Sequence, residues 1–204
     1  KLPQHNSLIF NYMIPFRFRF TSDLPIYPKK YFSHLLIIVC ILISILGFLY
    51  SDFKWYFGLH RLPLIVEAIP YFFWQIIFFQ FLHGDILHLL MNGYFLYSAW
   101  PEVESRMSRK RFIAFFLTST LFTAISLYIF ASVGSLTIWI SGFCMALLSY
   151  LWLDLSHIRH PQANQILIML VLNIALGLTG NISFVGHAAG ALWGIVWWKL
   201  RRNW

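Results

Sequence analysis

The feature that most limits this chain is its series of long apolar runs, at about 34–51, 62–100, 111–131, 137–154, 163–179 and 184–200. Runs of this length with few charges predict membrane helices, because hydrocarbon offers backbone N–H and C=O groups no partner outside their own segment. Only 11% of the residues are charged, against roughly a quarter in a soluble domain, so too little polar surface exists to face water. The 204 residues suffice for six spans of roughly 20 residues and short loops. One membrane domain is expected over residues 33–204, after a cytoplasmic or interfacial segment over 1–32.

The stretch 62–100 decides the topology, and the basic residues decide the stretch. Lys and Arg are retained on the cytoplasmic side. Suppose that only 83–100 spans, and that 52–82 is an external loop dipping into the membrane interface. All but Lys54 and Arg61 of the 15 basic residues then fall in the cytoplasm. Were 62–82 also to span, the cluster Arg106, Arg109, Lys110 and Arg111 would move outside. The expected fold is therefore an all-α bundle of six transmembrane helices with both termini cytoplasmic. The net charge of +8 follows from this distribution, so the expected partner is the lipid bilayer and not nucleic acid.

Three smaller readings go with it. Phe16-Arg17-Phe18-Arg19-Phe20 reads as an interfacial segment on an anionic membrane face or as a strand. Residues 1–30 lack the layout of a signal peptide, and none is expected. Cys40 and Cys144 lie inside apolar runs, where small buried thiols are expected and a disulfide is not.

Polar groups within spans are costly, and each is a functional hypothesis. The second span carries His83, Asp85, His88 and Asn92, the fourth opens on Ser141-Gly142, and the sixth holds His187 between Gly186 and Gly190. All three spans enter from outside, which puts these groups at a similar depth in the outer half of the bilayer. His88 and Asn92, four apart, share a helix face. Gly186, Gly190 and Gly194 make a small stripe on the sixth span, and Gly142, Ala146 and Ser149 a small face on the fourth. Such faces let helices approach closely in lipid, which predicts Ser141 within reach of His187. A serine, a histidine and hydrogen-bond donors are the parts for acyl transfer. A packing stripe without chemistry would leave the histidines unexplained. Asp85 is expected to favour the N-terminus of its helix.

With these residues in hand, the chain resembles the rhomboid intramembrane serine proteases in their bacterial form, over roughly Trp74 to Gly194. The segment from Phe81 through His83-Gly84-Asp85-Ile86-Leu87-His88 to Asn92 is similar to that family's His-Gly-x-x-x-His-x-x-x-Asn segment. Pro101 to Arg106 is similar to its acidic-basic turn, Ser141-Gly142 to the end of its Gly-x-Ser-Gly motif, and Asn181 to Gly194 to its last helix. The resemblance implies an inner-membrane serine endopeptidase acting on transmembrane segments of other proteins, without a cofactor. It implies Ser141 as nucleophile and His187 as general base, with His88, Asn92 and the Ser141 N–H as oxyanion hole. His83 would brace the site. Gly142 and Gly190 would support it by close packing. Trp74 would stand for the aromatic of the family's Trp-Arg pair, with Gln75 replacing the Arg. Two positions depart: Trp139 stands where the first glycine of Gly-x-Ser-Gly is expected, and Met145 where an aromatic often lies under the histidine. No carboxylate is expected as a third member, so the pair is expected to act as a dyad.

Rival readings make different demands. A metal site would use His83, His88 and His187, but His83 and His88 are five apart, about 140° around a helix, and no His-Glu-x-x-His occurs. A transporter would call for acidic ion-binding residues and an inverted repeat. A family member that binds transmembrane clients without cutting them is the main alternative, and Trp139 is the residue that sustains it.

Overall fold

The computed structural model describes residues 32–61, 69–179 and 183–201. The expected interfacial run Phe16–Phe20 lies outside them. Within the described residues the helices are α1 (Phe32–Leu49), α2 (Ser51–Phe57), α3 (Ile69–Phe78), α4 (Ile86–Ser105), α5 (Arg109–Phe130), α6 (Ser141–His157), α7 (Ala163–Leu176) and α8 (Phe184–Arg201). Single turns of 3-10 helix follow α3 at Phe79–Phe81 and α7 at Gly177–Thr179. Strands β1 (Leu59–His60) and β2 (Leu136–Thr137) pair antiparallel, Leu59 opposite Thr137 and His60 opposite Leu136.

The fold is all-α apart from that small ladder. Each expected span has a helix, in α1 and α4 to α8, and the expected dipping loop 52–82 contains α2, β1 and α3. By length and apolarity alone, α1 and α5 are sufficient to cross a membrane, and a third span is added if Tyr71–Phe81 and Ile86–Ser105 count as one, though they meet at a 77° bend. The other helices fall short for identifiable reasons. Among them α6 and α7 have 17 and 14 residues, while α4 and α8 carry the His and Asn side chains read above as functional.

Local sequence explains the ends. Asp85 caps α4, its carboxylate accepting the His88 N–H at 2.8 Å, the expected N-terminal role for an acidic residue. Ser183 caps α8, its hydroxyl accepting the Gly186 N–H at 3.0 Å. The fourth apolar run begins at 137, yet α6 begins at Ser141, because Leu136 and Thr137 are committed to β2.

The centre of the bundle is α6, buried continuously from Ser141 to Leu151. It packs on α8, α7, α4 and α5. In lipid, helices gain little by leaving one apolar medium for another, so close packing must hold them. The glycine stripe supplies it. A Cβ on Gly190 would fall on the Gly142 carbonyl, and one on Gly194 on the Ala146 carbonyl. Toward the other end, Trp100, Phe112, Phe115, Phe116 and Phe143 interlock, with the Trp100 and Phe143 rings 5.0 Å apart edge to face.

At that end a polar network ties four helices. The Glu104 carboxylate accepts the first N–H groups of α1, from Phe32 at 3.3 Å and Ser33 at 3.2 Å, satisfying donors a helix start leaves open. Arg106 pairs with Asp154 of α6 and lies 3.8 Å from Glu102. Trp198 of α8 donates to Asp154 at 3.3 Å.

Candidate active site

The first residue of α6 and the fourth of α8 are brought together by the glycine contact. Ser141 Oγ lies 2.9 Å from His187 Nε2, and both residues are buried. The other imidazole nitrogen, Nδ1, lies 2.7 Å from the backbone carbonyl of Asn173 in α7. A carbonyl only accepts, so Nδ1 carries the proton and Nε2 presents its lone pair to the serine hydroxyl. The carbonyl is free for this role because α7 is ending. The Gly177 N–H, which would otherwise reach back to it, turns to Ile174 and Ala175. Gly177 also lets α7 end against α8, since a Cβ there would meet Phe184 Cα at 2.6 Å.

Residue-type reading of the sequence missed Asn173. The group that orients His187 is a main-chain oxygen, which no side-chain pattern announces; the helix-ending Gly177 was its only signal. The one carboxylate of α6, Asp154, is 13 residues from Ser141, about 20 Å along the helix, and is held by Arg106 and Trp198. His187 therefore has a backbone carbonyl behind it, and among the described residues no carboxylate bonds to it.

Ser141 and His187 open onto a cavity of about 520 Å³ between α4 and α7, floored by α6. His88 and Asn92 of α4 line it together with Met145, Met169 and Asn173. Thus His88, Asn92, Ser141 and His187, expected at one depth, do share one space. The Asn92 Nδ2 is buried and has no hydrogen-bond partner among the described residues. An unpaired amide N–H is costly unless something binds it. As the first residue of α6, Ser141 also keeps an N–H with no intrahelical acceptor, at the positive end of the helix dipole. This wall lies across the cavity from the Ser141–His187 pair.

The supporting residues find distinct places. His83 does not reach the Ser–His pair. Its Nδ1 is 2.9 Å from Ser44 Oγ of α1, and that hydroxyl donates to the Phe81 carbonyl at 3.0 Å. His83 thus pins the entry to α4 against α1. Its ring stands edge-on to His88 at 5.5 Å. Met145, one turn below Ser141, lines the cavity where an aromatic was the alternative. Gly142 faces Thr123, whose Cγ2 would lie 2.9 Å from an added Cβ. Trp139 lies against His88, with ring centroids 4.9 Å apart.

The elements α2, β1 and α3 are tied together by short bonds. Trp74 Nε1 donates to the Tyr56 carbonyl at 3.0 Å, and Gln75 Nε2 reaches the same oxygen at 3.4 Å. Gln75 Oε1 accepts the His60 N–H of β1 at 3.4 Å. Gln75 therefore links α3 to α2 and β1 with an uncharged side chain. Because β1 pairs with β2, four residues before Ser141, the segment carrying α2, β1 and α3 is braced against the start of α6.

The fold and the site together define a helical integral membrane protein with a serine–histidine pair beneath a cavity between its helices. Comparison with known proteins gives the family. The Rhomboid domain matches residues 71–203, and the chain belongs to the rhomboid family. It is 30% identical over 129 residues to Rhomboid-like protease 3 of Toxoplasma gondii, an alignment covering 60% of this chain and 49% of that protein. The chain thus spans about half the length of that relative.

Proposed function

We propose that this protein is an intramembrane serine endopeptidase that cuts transmembrane segments of other membrane proteins through the Ser141–His187 dyad. The observation that carries the reading is the 2.9 Å contact between Ser141 Oγ and His187 Nε2, with Nδ1 satisfied by Asn173. In this reading His187 accepts the serine proton as Oγ attacks the scissile carbonyl, then returns it to the leaving amine. Negative charge developing on the carbonyl oxygen is met by Asn92 Nδ2, His88 and the Ser141 N–H. The client helix must unwind locally, because its carbonyls are otherwise engaged in its own hydrogen bonds. Water then releases the acyl group through the polar, outer part of the cavity.

The same reading sets the topology: six spans in α1 and α4 to α8, both termini in the cytoplasm, and 52–82 as an external loop dipping into the interface. The retention of basic residues at 106–111, at Arg159 and from Lys199 onward supports it. The bacterial form of the motifs points to a bacterial inner membrane.

A second reading, a client-binding protein that does not cut, is supported by Trp139. Its ring fills space beside His88 where the family motif has a glycine. Reconstitution in liposomes with a tagged single-span helix carrying a Gly-Pro break near its outer end separates the two. The protease reading expects cleavage by the wild type and none by Ser141→Ala or His187→Ala. Retention of the uncut helix by all three proteins, with cleavage appearing only in Trp139→Gly, would support the client-binding reading.

A further inference from the structure

The side chain of Asn173 has no part in orienting His187. The oxygen that does so belongs to the main chain, and any residue at this position would supply it. Yet an amide stands there, the one polar residue of α7 from Ile166 to Leu176. A polar group in such a helix costs free energy unless it is bonded. One half of the amide is satisfied locally, since Nδ2 donates to the Met169 carbonyl one turn back at 2.8 Å. The other half is not. Oδ1 accepts from no donor among the described residues, and unlike Asn92 Nδ2 it keeps accessible surface.

The place of Asn173 on its helix says where that surface opens. Ile168, Val171 and Leu172 are each more than half exposed and form the outer face of α7. Met169, Asn173 and Leu176 form the stripe that lines the cavity of Ser141 and His187. Apart from that pair, the other polar side chains of the cavity wall, Asp85, His88, Asn92, Tyr94 and Ser98, belong to α4 or its cap. On the α7 side, Asn173 is the one polar residue of the lining.

A peptide bond lying in this cavity has two polar ends. In a trans peptide the C=O and N–H point in opposite directions. With the carbonyl oxygen toward His88 and Asn92 on α4, as in the proposed function, the N–H is directed toward α7. An unwound client segment frees its N–H groups along with its carbonyls. An N–H enclosed beside Met169 and Leu176 needs an acceptor.

We infer that Asn173 is a substrate-binding residue whose Oδ1 accepts the backbone N–H of the client peptide bond held between α4 and α7. The bond sets the plane of that peptide over Ser141, with its carbonyl on one wall and its N–H on the other. The Nδ2 bond to Met169 holds the amide so that its oxygen is the atom presented. The inference rests on the proposed binding of transmembrane clients in this cavity, and it holds equally for a client that is bound without being cut.

The test measures binding, in nanodiscs, of a fluorescent single-span helix with a Gly-Pro break to full-length Ser141→Ala protein, so that no cleavage interferes. In a set of synthetic versions of the helix, one backbone N–H at a time near the break is replaced by an ester oxygen. Asn173→Leu in the same background removes the acceptor at nearly constant side-chain size and leaves the main-chain carbonyl for His187. At one position the ester should weaken binding to the protein with Asn173 by about tenfold. The same ester should leave binding to Asn173→Leu unchanged, because the partner of that N–H is already gone. A merely structural lesion would instead weaken the amide and ester helices alike. Asn173→Ala gives the same readout with a smaller side chain, and thermal melts establish that the variants fold. Equal ester losses with and without Asn173 at every position, undiminished binding of the all-amide helix by the folded variants, or no binding by the Ser141→Ala protein would overturn the inference. Failure of the protease reading is seen separately, as absence of cleavage by protein with Ser141 intact, and leaves this comparison readable.

Discussion

The contact between α6 and α8 and the seat of α4 are built in opposite ways. Where α6 meets α8, backbone touches backbone: Gly190 rests on the Gly142 carbonyl and Gly194 on that of Ala146. By contrast α4 is fastened near its ends, by Glu104 to the start of α1 and, through the preceding His83, to Ser44. Its middle is hollow on both flanks, with cavities of about 520 and 470 Å³. In the proposed function the nucleophile and base, Ser141 and His187, sit on the close-packed pair, and the proposed donors, His88 and Asn92, sit on the hollow-flanked helix. A proton transfer tolerates little change in distance, so its partners belong on helices that cannot separate. A helix beside the path of a bulky client gains from having room.

Substitutions can break or sharpen that contrast. The largest effect is expected on the close-packed side. Ser141→Ala and His187→Ala should each lower the cleavage rate at least about 10³-fold, measured on the liposome substrate, while the protein still elutes as a folded species. Next comes the donor side. Asn92→Ala should cost about 10²–10³ in rate with a nearly unchanged unfolding midpoint, because its Nδ2 has no partner among the described residues. A full wild-type rate in that variant would remove Asn92 from the oxyanion role.

Two glycine substitutions then compare the regions directly. Gly190→Ala drives a methyl group onto a carbonyl and should destabilise by about 1–3 kcal/mol, read as a lower midpoint in thermal or denaturant unfolding, with activity falling alongside. Gly93→Ala meets open space and should stabilise by about 1 kcal/mol through helix propensity, the smallest effect of the set. If both changes moved stability in the same direction, the contrast between a tight and a hollow interface would be wrong.

Much of this arrangement could be read from residue types. Apolar runs located α1 and α4 to α8 to within a few residues. Small residues at four-residue spacing gave the α6–α8 contact, and the depth of Ser141, His187, His88 and Asn92 gave their shared cavity. Side-chain identity did not reveal what depends on main-chain atoms. The Asn173 carbonyl that orients His187, and the β1–β2 pairing that braces the segment between α1 and α4, follow from where helices end and where two-residue strands meet. Gln75 was visible as a replacement for an expected Arg. Its bonds to Tyr56 and His60 needed the folded loop. The open space beside Gly93 was not legible either, because a glycine inside a helix does not say whether its space is filled.

The central claim is that His187 activates Ser141. Labelling with a fluorophosphonate probe in detergent, with the adduct mapped by mass spectrometry, tests it most directly. The account predicts an adduct on Ser141 in the wild type, its loss in Ser141→Ala, and its near-complete loss in folded His187→Ala. Labelling of Ser141 that survives unchanged in His187→Ala, or a folded wild type in which Ser141 does not react, would contradict it.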